Sequence, residues 1–343
     1  MNTGYKYMAL AIALAKRAEG MTSPNPIVGA VIVKNRRIVG RGYHKKAGLP
    51  HAEINALRQA GVKAKGATLY ITLEPCDHFG RTPPCTAAVI KSGIKRVVIA
   101  MRDPNPVNNG NGIRKLNRYG IKTKVGLLAK DAEAMNRPYI KFITKKIPFV
   151  TVKVAQSLDG KIATKTGDSK WISSGDSRCY VHELRRIADA VMVGANTVRR
   201  DDPLLLSRLS RGKQPIRVIV RGRSGLPSGA KVFSDSHKAP VIVVRPAGRS
   251  GKKVDLNKLL TALAKRGITN ILVEGGGELI AGLVKENLVD RFLVFIAPKI
   301  IGGRDAKTAV EGSGIEKIKD ALGLKNMSVK RFKEDILIEA HTQ

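Results

Sequence analysis

Short apolar runs rich in β-branched residues alternate with helix-like stretches along the first half of the chain. Residues 1–20 mix apolar and charged positions as an amphipathic helix does. Residues 27–34 (IVGAVIVK) read as a strand, followed by a turn-rich stretch over 40–48. A helix over 53–60 follows Pro50 and ends at Gly61. Residues 67–73 (ATLYITL) form a strand that delivers Glu74-Pro75-Cys76. A helix over 86–91 stops at Gly93, and 96–100 is the next strand. Residues 111–119 and 121–125 repeat the helix–strand pair, and 130–145 is a longer helix. Strands alternating with helices predict an α/β fold whose sheet is covered on both faces.

A boundary is expected near 144–148, where Lys145, Lys146 and Pro148 end the long helix. Single cores rarely grow past about 250–300 residues, so the 343 residues divide into domains at 1–146 and 147–343. The second opens with a strand over 149–155. Further strands are expected at 190–194, 216–220, 240–244, 270–273 and 291–296. Glu274-Gly275-Gly276-Gly277-Glu278 follows a strand and opens a helix over 279–285. Such a turn brings backbone N–H groups close to a phosphate. It is not Gly-x-Gly-x-x-Gly, and by itself it reads equally well as a tight turn.

His51-Ala52-Glu53, Pro75-Cys76 and Cys85 carry the most specific chemistry. One neutral imidazole and two thiolates cancel the charge of Zn²⁺ and leave a tetrahedral position for water. Nucleobase-type zinc deaminases use this set, with a non-ligating Glu two residues after the His moving protons. Their usual Cys-x-x-Cys is here a longer loop, with eight residues between Cys76 and Cys85. Residues two apart on a helix diverge, so His51 is expected at the helix start with non-helical dihedrals and Glu53 in the first turn. Cys85, just ahead of the next helix, gains thiolate stabilisation from that helix's positive end. His78 is a rival ligand ranked below Cys76. Cys179 is left over and reads as a packing residue. Three cysteines cannot build a disulfide framework, which fits a reducing, cytoplasmic compartment. No stretch approaches the roughly 18 uncharged apolar residues of a membrane span.

Several segments together resemble one family. They are Pro24-Asn25-Pro26, Pro50-His51-Ala52-Glu53, Thr72-Leu73-Glu74-Pro75-Cys76, Gly80-Arg81-Thr82-Pro83-Pro84-Cys85 and Asp103-Pro104-Asn105-Pro106 in the first half. In the second they are Ser157-Leu158-Asp159-Gly160-Lys161, Trp171-Ile172-Ser173, Asp201-Asp202-Pro203, Glu274-Gly275-Gly276 and Ala297-Pro298-Lys299. The chain is similar nearly end to end to the bifunctional riboflavin-biosynthesis deaminase–reductases.

That resemblance implies a cytidine-deaminase-like N-terminal domain followed by a C-terminal dihydrofolate-reductase-like domain. It implies zinc-dependent removal of the 2-amino group of 2,5-diamino-6-(5-phosphoribosylamino)pyrimidin-4-one, then NADPH-dependent reduction of the ribosyl group to ribityl. It carries zinc onto His51, Cys76 and Cys85, proton transfer onto Glu53, and pyrimidine positioning onto Asn25. Ser169, Arg185, Leu205, Arg208 and Glu274 match substrate contacts. Ala155, Trp171, Thr197, Asp201, Gly276, Gly277, Glu278, Leu279, Ile280, Ala281 and Gly282 match cofactor contacts. Arg185 and Arg208 suit a phosphate by fork geometry, Glu274 suits the sugar or ring, and Lys153 suits polarisation of the reacting centre. The chain departs from the family at Arg221-Gly222-Arg223, where Asp-Ser is frequent. A Ser-type cofactor contact is lost at Gly222. The two arginines read either as a seat for the 2′-phosphate of NADPH or as surface charge.

The main rival is a tRNA-adenosine-type deaminase, which shares the His-x-Glu and Pro-Cys core. The inter-cysteine spacing and a second domain with no role in editing stand against it. A vestigial, RNA-binding chain is the other rival, and the intact ligand set with Glu53 opposes it. The net charge of +35 is spread as +20 over 1–147 and +15 over 148–343. An arm dedicated to nucleic acid would concentrate it. Phosphorylated substrates and non-specific polyanion attraction both fit, as does a solvated basic surface. Only 4% of residues are aromatic, which supplies stacking platforms for single strands poorly. Reductases of the implied fold often dimerise, so a homo-oligomer is expected.

Overall fold

The computed structural model describes residues 3–79, 83–209, 212–222, 225–234, 239–247 and 253–342. Two compact units divide at Lys146 and Ile147. Among the described residues the first contains α1 (Thr3–Lys16), β1 (Gly29–Lys34), β2 (Arg37–Tyr43), α2 (Ala52–Ala60), β3 (Thr68–Leu73), α3 (Cys85–Lys91), β4 (Arg96–Met101), α4 (Asn111–Arg118), β5 (Lys122–Val125), α5 (Ala129–Met135) and α6 (Arg137–Lys145). Its sheet runs β2-β1-β3-β4-β5. β1 is antiparallel to both neighbours, and β3, β4 and β5 are parallel. Ala30, Ile32, Leu69, Ile71, Val97 and Ile99 are fully buried between helical layers, as a doubly covered sheet requires.

Two expectations need correction here. The stretch 40–48 is not all turn, because strand β2 runs through Tyr43. Gly40 and Gly42 misdirect the reading: glycine weakens a strand by propensity, but also marks close backbone approach. A Cβ on Gly42 would lie 2.3 Å from Ala52 O, and one on Gly40 2.3 Å from Ala56 O. α2 is seated directly on these glycines. The long helix over 130–145 is broken at Asn136, since Pro138 cannot donate a helical hydrogen bond. Asn136 turns inward instead, accepting from Ile27 N (2.9 Å) and donating to Ile27 O (3.0 Å).

The second unit contains β6 (Phe149–Ser157), α7 (Gly175–Ile187), β7 (Ala190–Gly194), α8 (Ala195–Asp201), β8 (Ile216–Val220), β9 (Val241–Val244), α9 (Leu256–Lys265), β10 (Asn270–Val273), α10 (Gly277–Lys285), β11 (Arg291–Ala297), β12 (Leu324–Phe332) and β13 (Asp335–Thr342). The sheet runs β12-β13-β11-β6-β10-β7-β8-β9. From β11 to β9 it is parallel, and β13 and β12 add an antiparallel edge. Val150, Val152, Met192 and Ile271 pack on one face, Val191, Val193, Leu272 and Phe295 on the other. α7, α8, α9 and the closing hairpin add to the elements expected from the sequence. β12 escaped because Lys325, Asn326, Ser328 and Lys330 interrupt any apolar run, and almost all of it is exposed.

Candidate metal centre and reductase cleft

In the first unit, α2 and α3 converge on the end of β3. His51 is the residue preceding α2, with extended dihedrals (φ −70°, ψ 167°), while Glu53 lies buried in the first turn. Cys85 is the first residue of α3, and Cys76 follows β3. His51 Nδ1 lies 3.2 Å from Cys85 Sγ and 3.7 Å from Cys76 Sγ. Tetrahedral Zn²⁺ with bonds of about 2.1 Å to nitrogen and 2.3 Å to sulfur needs ligand atoms roughly 3.6–3.8 Å apart. The cluster fits that ion, and His78 is not part of it. Residues 80–82 of the connecting loop lie outside the described residues.

The electrostatics suit the same ion. The Cys85 thiol and the His51 ring, both hydrogen-bonded to Cys76, bring the Cys76 thiol down to about 4. The same Cys76 contact and burial push the Cys85 thiol up. Burial, helped by the charge of Cys76, pushes the Glu53 carboxyl up to about 7. A carboxyl poised there can take and return a proton near neutral pH.

The support around the cluster was only partly legible in the sequence. Glu74 Oε2 accepts from Asp103 N (3.2 Å) and Gly110 N (3.0 Å), and Oε1 accepts from Ile113 N (3.1 Å). This carboxylate ties the ligand loop to the start of α4. Asp77 Oδ1 accepts from Thr86 Oγ1 and from Lys115 Nζ, each at 2.6 Å. Tyr139 donates to Asp103 Oδ1 at 2.8 Å. Asn25 Nδ2 lies 3.2 Å from His44 Nε2, and the His44 ring meets the His51 ring edge-on at 5.1 Å. The buried His44 thus links Asn25 to the cluster. A charged residue directly after a buried strand, as in Leu-Glu-Pro-Cys, was the available signal for Glu74.

The second unit holds two adjoining clefts of 1290 and 1310 Å³. Every reductase candidate borders one of them, and Ser169, Thr197, Asp201 and Gly276 border both. Gly277, Glu278, Leu279, Ala281 and Gly282 border the first. Lys153, Arg185, Leu205, Arg208 and Glu274 border the second, together with Ala155, Trp171 and Ile280. These last three were matched to cofactor contacts, so the second cleft is lined by residues of both groups. At the start of α10 the amides of Gly276, Gly277 and Glu278 have no acceptor among the described residues. Three free N–H groups at a helix start suit a phosphate-bearing cofactor. A Cβ on Gly277 would lie 2.7 Å from Glu311 Cγ, which explains the glycine. Arg221 and Gly222 border the same cleft, while Arg223 lies outside the described residues.

Arg185 is anchored from within the chain. Its Nε and Nη2 donate to the two oxygens of Glu274 at 2.6 and 2.8 Å, and Nη1 donates to Leu206 O at 3.1 Å. These bonds use three of its five N–H groups and leave one on each terminal nitrogen. Burial opposes charge on Glu274, but Arg185 overrides it and keeps the carboxyl below its ordinary value. Burial depresses the Lys153 ammonium, with Glu274 pulling the other way. Trp171 is 59% exposed, with the Arg178 guanidinium 4.5 Å from its ring centre.

Residues 1–101 match the family model of the cytidine and deoxycytidylate deaminase zinc-binding region, and residues 148–338 match that of the RibD C-terminal domain. The riboflavin biosynthesis protein RibD of Aquifex aeolicus is 46% identical over 97% of this chain and 96% of its own. The Escherichia coli protein of the same name is 39% identical over 97% of each. Acinetobacter baumannii RibD superposes with a TM-score of 0.91 at 37% identity, covering 99% of both chains. The diaminohydroxyphosphoribosylaminopyrimidine deaminase/5-amino-6-(5-phosphoribosylamino)uracil reductase of Thermotoga maritima gives 0.90 at 39%, again covering 99% of both. The fold is therefore an N-terminal cytidine-deaminase zinc domain followed by a C-terminal dihydrofolate-reductase-like domain. A stand-alone tRNA deaminase has no counterpart for the matched second half. With a His/Cys/Cys centre in one unit and likeness running through both, the chain belongs to the RibD family of riboflavin-biosynthesis deaminase–reductases.

Proposed function

We propose that residues 1–146 deaminate 2,5-diamino-6-(5-phosphoribosylamino)pyrimidin-4-one and that residues 147–343 reduce the ribosyl group of the product with NADPH. The convergence of His51, Cys76 and Cys85 beside the buried Glu53 carries this reading. Zn²⁺ held by those three residues supplies the Lewis acidity that makes water a nucleophile at neutral pH. Glu53 takes a proton from that water and returns one to the leaving amino group, which departs as ammonia. Asn25, oriented through His44, holds the pyrimidine edge.

In the second half, α10 and its free amides take the cofactor, whose nicotinamide supplies the hydride. Arg185 holds Glu274 in one orientation against the substrate. Lys153, whose proton is loosened by burial, delivers the proton that accompanies hydride addition and sugar-ring opening. The adjoining clefts bring both reactants together, so positioning carries much of the rate. The compartment consistent with three free cysteines is the cytoplasm. No described helix is long and apolar enough to cross a membrane. The basic surface attracts nucleic acid only non-specifically, and a homo-oligomer is expected.

The test is ultraviolet absorbance of the purified protein with the diaminopyrimidine. Ring absorbance should change first, and oxidation of added NADPH should follow. Deamination of RNA adenosine with no turnover of the pyrimidine would overturn the reading.

A further inference from the structure

Trp171 is the single tryptophan of the chain and stands 59% exposed on the wall of the second cleft. An indole so open gives up the burial that usually fixes a tryptophan, so polar contacts must hold it. Two cations do so. Lys299, after β11, donates to the Trp171 carbonyl at 2.6 Å. Arg178, early in α7, lies with its guanidinium 4.5 Å from the ring centre. Its Nη1 donates to Ser173 O at 2.6 Å, which fixes the plane of the fork two residues from the ring.

The base of Arg178 is fixed as well. Ser174 caps α7 by accepting from Ser177 N. Asp335 on β13 accepts from Ser174 N at 2.7 Å and from Ser177 Oγ at 2.5 Å. Asp176 is taken by Lys333 at 3.2 Å, and no carboxylate among the described residues pairs with Arg178. Its charge is therefore not neutralised by an ion pair, and it sits on one face of the indole. The opposite face is left to the cleft.

Charge decides what suits that face. A guanidinium is drawn to one side of an indole by the ring's quadrupole. A ligand ring stacked on the other side feels the same charge across the indole. Hydride donation turns a neutral dihydronicotinamide into a pyridinium cation, which that charge repels. With a stacking gap of about 3.5 Å beyond the ring centre, the two charges stand about 8 Å apart. In partly hydrated surroundings this separation is worth about three- to tenfold in an equilibrium constant.

We propose that Arg178 is a positioning residue for the cofactor: it holds Trp171 as a plate for the nicotinamide ring and biases the cleft toward the reduced, neutral form over the oxidised product. The proposal rests on the NADPH reading of the second unit. It gives the chain a means of shedding NADP⁺ after turnover, which contacts to the phosphates, identical in both forms, cannot supply.

Titrations of the full chain separate this from a structural role. Arg178→Gln keeps an N–H for Ser173 O and removes the charge, whereas Arg178→Lys keeps the charge and removes the planar fork. Dissociation constants for NADPH and NADP⁺ follow from quenching of the single tryptophan's emission. In Arg178→Gln the preference for NADPH over NADP⁺ should fall about three- to tenfold. In Arg178→Lys it should stay within about twofold of wild type while both forms bind more weakly. Without cofactor, acrylamide should quench Trp171 more readily in both variants, because the covered face opens. Unchanged acrylamide quenching would show that Arg178 does not hold the ring and overturn the proposal. An unmoved ratio in Arg178→Gln would overturn it too, since a packing defect weakens both forms alike. So would a change confined to KM for the pyrimidine, which would place Arg178 against the substrate. A wild type that bound neither form would bring down the NADPH reading and the proposal with it; an unmoved ratio in a chain that binds both brings down the proposal alone.

Discussion

At the scale of single residues, buried charge is organised by what donates to it. Cys85 supplies one thiolate of the His/Cys/Cys set, so Cys85→Ser should lose zinc by metal analysis and lose deamination with it. Retention of a full equivalent would remove Cys85 from the ligands. Asp335 shows the same logic away from any metal. Burial opposes its charge, yet hydrogen bonds from Ser177 Oγ (2.5 Å) and Ser174 N (2.7 Å) prevail and hold the carboxyl below its usual range. A depressed folded-state value contributes stability above the unfolded carboxyl's pKa of about 3.9, and that stability disappears as pH falls through the folded value. Asp335→Asn should therefore cost about 1–3 kcal/mol at pH 7, read from urea unfolding followed by Trp171, the single tryptophan. The gap between variant and wild type should close as the pH is taken below the folded value. A gap that stays constant across that range would show that Asp335 is not acting through its charge.

At the scale of elements, the deaminase site depends on how closely α2 lies on β2. Ala52 O and Ala56 N stand 2.3 and 2.5 Å from where a Cβ on Gly42 would be, and both are backbone atoms that cannot swing aside. Gly42→Ala should push α2 outward and cost about 1–3 kcal/mol as an overpacked contact. Because α2 carries Glu53 and His51 precedes it, deamination should fall while reduction of pre-deaminated substrate persists. Unchanged deamination in this variant would mean that the helix seat has slack. The Glu74 carboxylate plays a comparable part for the Cys76 loop, tying strand end, α4 and intervening backbone through three N–H donors.

At the scale of the whole molecule, the two chemistries are carried by separate compact units. Glu53→Gln keeps the side chain's size but cannot shuttle protons. Zinc should remain while deamination drops at least ~10²–10⁴-fold, the usual cost of a lost acid–base group. NADPH oxidation with pre-deaminated substrate should be unaffected, and a parallel loss of both activities would contradict two independent sites. The basic excess in both halves bears on the cofactor too. Arg221 borders the first cleft, and its neighbour Arg223 shares the departure from the family pattern. If this pair takes a 2′-phosphate, replacing both with Ala should raise KM for NADPH on the order of ten- to a hundredfold, and far more than KM for NADH. Equal changes for the two cofactors would assign the arginines to solvated surface.

Local chemistry and short-range pattern were enough, from sequence alone, for the strand–helix alternation, the zinc-type ligand set and Glu53. Metal ligation needs particular side chains at particular spacings, and buried parallel strands need continuous apolar runs. Both leave marks along the chain. The end-to-end likeness then supplied the reductase candidates, which composition and periodicity could not have separated from ordinary surface arginines and threonines. Tertiary structure alone decided the rest. β2 was hidden because its glycines answer to the close seating of α2, the next element along the chain, which strand propensity does not register. That Arg185 is anchored by Glu274, 89 residues away, at 2.6 Å is visible only in the folded chain. Arg178 and His44 carried no motif at all; what distinguishes them is a neighbour's ring that only the folded chain places beside them. Hydrogen-bond partnership is a property of distance in space, and sequence order does not encode it.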